Sequence, residues 1–164
     1  MRLKSQQQGA TLLMALIFLV VLTAASITAM RLSNTEEKMA SGSQFRNDSF
    51  QLAQSELASH VINFNDTLAK RVPLQAALSK AADPITGFPD RKAIQALTAA
   101  VSSSKVSNQA ADIRYMANLD CANLGFGDSY GLFECRQYEL HARSTLQSGA
   151  FSDQNQGIYF WQLK

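Results

Sequence analysis

The sequence predicts an α+β fold, in which one long N-terminal helix packs against a small antiparallel sheet. The run from Ala10 to Met30 has no charged residue, proline or glycine, which is typical of a long apolar helix. The following segment places apolar residues on one helical face, and the last third of the chain alternates polar and apolar residues. Three or four antiparallel strands packed by one face on the helix would form an α+β roll.

The segment Ala10–Met30 is long enough to cross a membrane. A helix of this length spans roughly 30 Å, which matches the hydrocarbon core of a bilayer. Arg2 and Lys4 precede it, so residues 1–9 are expected to stay on the cytoplasmic side and the remainder to be exported. A secretory signal would have its cleavage site after the apolar region, whereas the candidate site Gly9–Ala10 lies before it.

The helix is expected to continue beyond the membrane as an amphipathic segment over residues 31–69. Proline is absent until Pro73, and one apolar face recurs every three or four residues. The residues of this face are Phe50, Ala53, Leu57, Val61, Phe64 and Leu68. Gly42 is the expected weak point of the helix. Residues 70–164 would then form the exported globular region.

The globular region begins with further helical and loop signals. Residues Leu74–Ala82 are expected to form a short helix, and Pro84, Gly87 and Pro89 a loop. Residues Asp90–Leu97 also read as a helix, with Asp90 as its N-terminal cap.

Strand signals dominate the last third of the chain. Residues 113–117 alternate weakly, residues 137–143 alternate cleanly, and residues 158–163 are rich in aromatic side chains. In the last strand, either Phe160 or the pair Tyr159 and Trp161 should face the core.

Cys121 and Cys135 are the two cysteines of the chain. In an oxidising compartment such a pair is normally a disulfide, and closing a loop of about 15 residues stabilises a fold by roughly 3 kcal/mol. The alternative is a pair of metal ligands, but no histidine or second cysteine pair lies at ligand spacing. The prediction is a disulfide-bounded C-terminal loop.

Candidate chemical sites are few, and nothing in the sequence argues for an enzyme, a cofactor or a metal. His60 and His141 read as surface or partly buried residues. Asp153, Asn155 and Gly157 follow the first half of a calcium-loop pattern, but the distal glutamate is missing, so a turn between strands is preferred. The net charge of +2 and the lack of a basic, aromatic cluster give no support for nucleic-acid binding.

Three segments resemble a known family. Gly9–Leu13 is similar to the Gly-Phe-Thr-Leu-Ile pattern that ends the class III leader of type IV pilins and pseudopilins. Ala29–Ala40 closely resembles the segment that marks the PilX-type minor pilins, and Phe50–Glu56 resembles the helix that follows it. The resemblance implies a pilin-like fold that is anchored in the inner membrane with its globular region in the periplasm. It also implies cleavage between Gly9 and Ala10 by the prepilin peptidase, and N-methylation of Ala10.

The resemblance also implies a function and a set of partners. PilX-type proteins assemble with other minor pilins and the assembly platform to prime the type IV pilus, and they stay near its tip, where a pilus adhesin is a further partner. Arg31, Glu36 and Glu37 lie in the family-like segment, where they would contact neighbouring subunits. The alternative is a solvated helix face in which Arg31 and Lys38 pair with the two glutamates.

Two positions depart from the general pilin pattern. Ala10 stands where most pilins have phenylalanine, and Met14 stands at the fifth mature position, where most have glutamate. In the family that carboxylate neutralises the N-terminal amine of a neighbouring subunit. An unpaired ammonium in an apolar filament core is costly, so Met14 suits a subunit at the tip better than one repeated along the filament.

Other functions remain open at this point. A minor pseudopilin of a type II secretion system shares the leader and the missing glutamate. A pilus-borne adhesin or DNA-binding subunit would use the loop between Cys121 and Cys135. A signal-anchored periplasmic enzyme would need neither cleavage at Gly9 nor filament partners.

Overall fold

A computed structural model describes residues 7–83, 90–119, 121 and 133–163. The α+β fold class is confirmed, because a long N-terminal helix packs on a four-stranded antiparallel sheet. Two compact units divide the chain between Gln44 and Phe45. The elements in chain order are α1 (Gln7–Asp66), a 3-10 turn (Leu68–Arg71), α2 (Val72–Ser79), β1 (Gln95–Leu97), β2 (Val106–Leu119), β3 (Phe133–Leu146) and β4 (Phe151–Leu163).

The first unit is the N-terminal part of α1. It is rich in leucine, alanine and methionine, which have high helix propensity, and it contains no proline. Every side chain from Ala10 to Ala40 is exposed. Gly42 lies within the helix, and a Cβ added there would meet no atom within 4 Å. Packing therefore does not require glycine at this position.

The part of α1 in the second unit buries one face, as the spacing predicts. Ala53, Leu57 and Phe64 are at most 2% exposed, and Val61 packs against the edge of the same core. These four residues recur every three or four positions, so they stack on one side of the helix. The apolar face is what fixes the helix on the sheet.

The prediction of an apolar face is wrong for the residues at its two ends. Phe50 is 45% exposed and Leu68 is 80% exposed. Leu68 lies in the 3-10 turn because α1 ends at Asp66 and not near Ala69, and at the other end Ser49 turns inward in place of Phe50. The core face of the helix is therefore shorter than the sequence pattern suggests.

The sheet has the strand order β1-β2-β3-β4, and every neighbouring pair is antiparallel. Ile113 of β2, Leu140 of β3 and Ile158 of β4 are buried in one hydrophobic cluster with Phe64 of α1. The three predicted strand segments are confirmed, and each belongs to a longer strand than expected. One face of the sheet thus packs on α1, and the other is called the outer face below.

The short helix predicted at Leu74–Ala82 is confirmed with shifted ends. α2 runs from Val72 to Ser79 with a proline in its first turn, where the missing N–H costs no hydrogen bond. Leu74 and Ala77 are its buried residues. The loop predicted around Pro84, Gly87 and Pro89 lies outside the described residues, as does most of the loop between the two cysteines.

Residues Asp90–Leu97 do not form the predicted helix. Gln95–Leu97 is β1, in which Gln95 lies opposite Ile113 of β2. The Lys92 N–H donates to the Tyr115 carbonyl at 2.9 Å. Because β2 offers a strand edge to this segment, long-range pairing outweighs the local helix propensity, and Asp90 caps no helix.

The turn between β3 and β4 lies at residues 147–150, so the turn predicted at Asp153–Gly157 is wrong. Gly149 has a φ of 85°, and its N–H donates to the Leu146 carbonyl at 2.9 Å. Positive φ strongly favours glycine, and Gly149 supplies it before β4 begins. Residues 153–157 instead lie within β4, where they are extended and do not form a calcium loop.

The structure shows which aromatic residues of β4 face the core. The Phe160 ring meets the Phe64 ring edge-on, with centroids 6.1 Å apart. Tyr159 and Trp161 lie on the outer face, where they are 46% and 59% exposed. Phe160 is therefore the aromatic residue of this group that contributes to the core.

Candidate functional site

The apolar half of α1 is the first candidate surface. In the described part of the chain, α1 is the one helix long and apolar enough to cross a membrane, judged by length and composition. Leu12 is 71% exposed and Phe18 is 66% exposed. Leaving such side chains in water forgoes about 1.5–3 kcal/mol for each residue. This surface is therefore suited to contact with lipid or with an apolar protein partner, and it is compatible with membrane anchoring.

Hydroxyl groups in the same segment are satisfied within the helix. Thr23 Oγ1 donates to the Val20 carbonyl and Ser26 Oγ to the Leu22 carbonyl, both at 2.8 Å. In hydrocarbon an unsatisfied hydroxyl would cost free energy, and bonding to the preceding turn removes that cost. These polar residues are therefore compatible with membrane insertion.

The residues expected to act in processing and subunit contact lie along the first unit. Gly9–Ala10 lies near the start of α1. Met14 is 71% exposed, and Arg31, Glu36 and Glu37 are also exposed. The structure places Ala10, Met14 and these three charged residues on a surface that another subunit or lipid can reach. The roles of all the residues named here stay predictions.

In the second unit, Glu56 fastens α1 to the segment between β1 and β2. The side chain is fully buried. Its Oε1 accepts from the Ala100 N–H at 2.6 Å, and its Oε2 accepts from the Val101 N–H at 2.7 Å and from Gln109 Nε2 at 3.3 Å. A buried carboxylate is tolerated when donors surround it, and here they come from a segment distant in sequence.

His60 completes the environment of Glu56. Its Nε2 lies 2.9 Å from Glu56 Oε1, one helical turn away, and its ring stacks on Phe64 with centroids 5.9 Å apart. Its exposed fraction is 6%, so it is more buried than the sequence predicts. The arrangement is a packed structural pair on the core face of α1.

His141 on β3 bridges two carboxylates across the outer face of the sheet. Its Nδ1 lies 2.9 Å from Asp112 Oδ2 on β2, and its Nε2 contacts the Asp153 carboxylate on β4. The antiparallel register creates this cluster, because Asp112 lies directly opposite His141. The residue is half-buried, in agreement with the prediction.

The two carboxylates control the charge of His141. Burial by itself lowers the pKa of the imidazole, but hydrogen bonds and negative charge from Asp112 and Asp153 outweigh burial and raise the pKa above its ordinary value. Both ring nitrogens face acceptors, so the imidazolium form can donate to both. The protonated ring therefore joins three strands.

Beside this cluster, a shallow groove of about 230 Å³ is lined by charges of both signs. Arg114 Nη2 lies 3.3 Å from Asp83 Oδ2, and Arg91 Nη2 lies 3.7 Å from Glu139 Oε2. Because these charges offset one another, the groove has no strong preference for an anion or a cation. Among the described residues, no group of three or more histidine, cysteine, aspartate or glutamate side chains is placed to hold a metal ion.

The predicted disulfide is confirmed. Cys121 and Cys135 are bonded, and their Cα atoms lie 5.2 Å apart, within the usual range for a disulfide. Both cysteines are buried. The bond joins the region after β2 to the start of β3.

Sequence reasoning missed Glu56 and the acidic partners of His141. The signal for Glu56 was present, since Glu56 and His60 are one helical turn apart and flank Leu57 on the apolar face. The partners of His141 could be found only from the strand register, which one sequence does not supply.

A long N-terminal helix with an exposed apolar segment, followed by an antiparallel sheet and a C-terminal disulfide, agrees with the pilin-like fold that the sequence predicts. Residues 8–58 match the model of the PilX N-terminal family. The match covers about a third of the chain, and this segment is therefore similar to the N-terminal part of PilX-type pilins, which are components of type IV pili. This is a family of structural pilins and not of enzymes, and its members interact with other pilus components. No curated protein and no solved structure matches the chain.

Proposed function

We propose that this protein is a minor pilin that helps prime type IV pilus assembly and stays in the minor-pilin complex at the pilus tip. The proposal rests on one observation: the residues that match the family model, 8–58, include the apolar segment of α1, and that segment is fully exposed. Residues 10–30 anchor the subunit in the inner membrane, and residues 70–164 lie in the periplasm.

Processing precedes assembly in this proposal. The prepilin peptidase removes residues 1–9 by cutting between Gly9 and Ala10, and Ala10 becomes the methylated N-terminus. Because the cut lies before the apolar segment, the mature subunit keeps its membrane helix. Arg31, Glu36 and Glu37 then contact neighbouring minor pilins or the assembly platform.

Met14 supports placement at the tip. Its thioether cannot neutralise the ammonium group of a neighbouring subunit, and an unpaired ammonium in an apolar filament core is costly. The cost recurs for each copy placed along a filament and is limited for a subunit used once at the end. The function is therefore structural and depends on where the subunit is used.

The second unit supplies the selective contacts of the subunit. Glu56 and the apolar face of α1 hold residues 45–66 of the helix on the sheet, so the outer face of the sheet has a fixed orientation relative to that part of the helix. A rigid domain of this kind loses little conformational entropy when it binds a neighbour. It is suited to lateral recognition within a complex.

The experiment that tests the proposal is the intact mass of the protein from membranes with and without the prepilin peptidase of the organism. We expect loss of residues 1–9 only when the peptidase is present. Unprocessed protein in both samples would overturn the pilin pathway. If processing occurs, electron microscopy with an antibody against the protein should label pilus ends, and uniform labelling along pili would overturn the tip assignment.

A further inference from the structure

Among the strands of the described residues, the long strand β4 forms one edge of the sheet. It has 13 residues, and β3 is its neighbour on one side in the strand order. The strand at the opposite edge is β1, which has only 3 residues. A long edge strand leaves a row of backbone N–H and C=O groups available to another chain.

The hydrogen-bond register shows which residues of β4 point to the free edge. The Leu146 N–H donates to the Ala150 carbonyl at 2.8 Å, so these residues form a hydrogen-bonded pair next to the turn. In an antiparallel ladder such pairs alternate with pairs that are not hydrogen-bonded. The β3–β4 register has no irregularity, so the odd-numbered residues of β4, which include Asn155, Gly157 and Tyr159, direct their backbone groups away from β3.

Within β4 the usual protection against strand addition is missing. Residues 151–163 contain no proline and no lysine, and no bulge interrupts their pairing with β3. The one charged side chain in the strand, Asp153, is engaged with His141 and Arg143 on β3. A regular, nearly uncharged edge of this length favours pairing with an extended segment.

Side chains on the outer face add an apolar contact beside this edge. Tyr159 and Trp161 are 46% and 59% exposed, and the Trp161 ring meets Phe133 edge-on at 5.4 Å between centroids. Their positions alternate along β4 with Phe160 in the core. A strand added next to β4 would therefore place its own alternate residues against exposed aromatic rings.

We propose that the free edge of β4 binds an extended strand of a different subunit of the pilus complex, with apolar side chains of that strand next to Tyr159 and Trp161. The proposal rests on the proposed function, because a subunit used once at the tip has no second copy beside it. Backbone hydrogen bonds from the odd-numbered residues supply the pairing, and the aromatic rings supply the selection between partners.

The first test places a photo-crosslinking amino acid at Tyr159 in the full-length protein in native membranes. Ile62, which is 68% exposed on α1, carries the crosslinker in the matched control. We expect Tyr159, and not Ile62, to give an adduct with another pilus subunit, identified by mass spectrometry. An adduct between two copies of this chain, an adduct with a protein outside the pilus, or no adduct would each overturn the proposal.

The second test removes one edge donor. Asn155→Pro deletes an N–H that points away from β3, so the β3–β4 ladder stays intact, and Asn155→Ala is the matched control. We expect Asn155→Pro to reduce adduct yield about tenfold relative to Asn155→Ala, since one backbone hydrogen bond to the partner is lost. Equal yields from two folded variants would overturn the proposal.

A third variant keeps the test decisive if Asn155→Pro is unstable. Gly157→Lys adds a charge at the edge, and its Cβ meets no atom within 4 Å. It should also reduce the adduct, and an unchanged yield would overturn the proposal. Removal of residues 1–9 is measured in the same samples. Processed protein without an adduct contradicts only the strand pairing. Unprocessed protein contradicts the proposed function itself.

Discussion

The carboxylate of Glu56 accepts a hydrogen bond from the backbone N–H of Ala100 at 2.6 Å, although the two residues are 44 positions apart in the chain. The second oxygen accepts from the Val101 N–H at 2.7 Å. One helical side chain thereby satisfies two backbone donors of the segment between β1 and β2. This link makes Glu56 part of the fold of the second unit and not a surface charge.

Replacing Glu56 by alanine should destabilise the second unit strongly. The substitution leaves the N–H groups of Ala100 and Val101 without their acceptor and His60 without its partner, and we expect a loss of about 3 kcal/mol. Urea unfolding of the full-length protein in detergent, followed by the fluorescence of the single tryptophan, measures this change.

Two further variants separate this effect from a general loss of charge. Glu37→Ala removes an exposed carboxylate from the first unit and should change the free energy of unfolding by less than about 0.5 kcal/mol. Glu56→Gln keeps one acceptor oxygen and should fall between the other two. An equal midpoint for Glu56→Ala and Glu37→Ala would contradict the structural role of Glu56.

The Cys121–Cys135 disulfide gives a second stability prediction. Removing both thiols with Cys121→Ser and Cys135→Ser should lower the free energy of unfolding by roughly 3 kcal/mol, because the unfolded chain regains the entropy of a closed loop. Reduction of the wild-type protein should produce a loss of similar size. The double variant provides the control, since a reductant should leave it unchanged, and a reductant effect there would point to another cause.

Protonation of His141 should make stability depend on pH. Its pKa is raised in the folded protein above the unfolded value of about 6.5, so the folded state binds the proton more tightly. The stabilisation is fully present below about pH 6.5 and is lost as the pH rises through the folded pKa. For a half-exposed cluster the effect should not exceed about 1 kcal/mol.

The pH effect is measured as the difference between the wild-type protein and His141→Gln in unfolding free energy from pH 5 to pH 9. The glutamine side chain of this variant does not titrate, so the contributions of other groups cancel in the difference. Asp112 and Asp153 face the ring, and Asn155 and Arg143 lie beside it. A difference that grows with rising pH has the wrong sign and would contradict the bridging role of His141.

The main elements of the fold could be predicted because their signals are local. The apolar run of α1 predicts a long helix from its length and composition, and the clean alternation around Leu140 predicts a strand. Together they favour the α+β class. The disulfide is predicted from the two cysteines, because the sequence predicts that the chain is exported to an oxidising compartment. None of these predictions depends on knowing which segments of the chain are in contact in the folded protein.

The errors lie where long-range pairing decides the structure. Residues Asp90–Leu97 have helix-forming composition, yet Gln95–Leu97 pairs with the edge of β2 and forms β1. The burial of Glu56 depends on hydrogen bonds from the N–H groups of Ala100 and Val101, which are distant in sequence, so the local sequence does not predict it. His141 gains its acidic partners only when three strands lie in register.

Met14 provides the last prediction, which concerns where the subunit is used. Met14→Glu restores a carboxylate at the fifth position after the proposed cleavage site, where it could pair with the N-terminal ammonium of a neighbour. Because the pair offsets the cost of a buried charge, we expect the variant to enter the pilus shaft as well as the tip. Immunogold labelling along pili measures this change. Met14→Gln, which is polar but uncharged, is the matched control and should stay at the tip. Shaft labelling by both variants, or by neither, would show that charge pairing at this position does not determine where the subunit is placed.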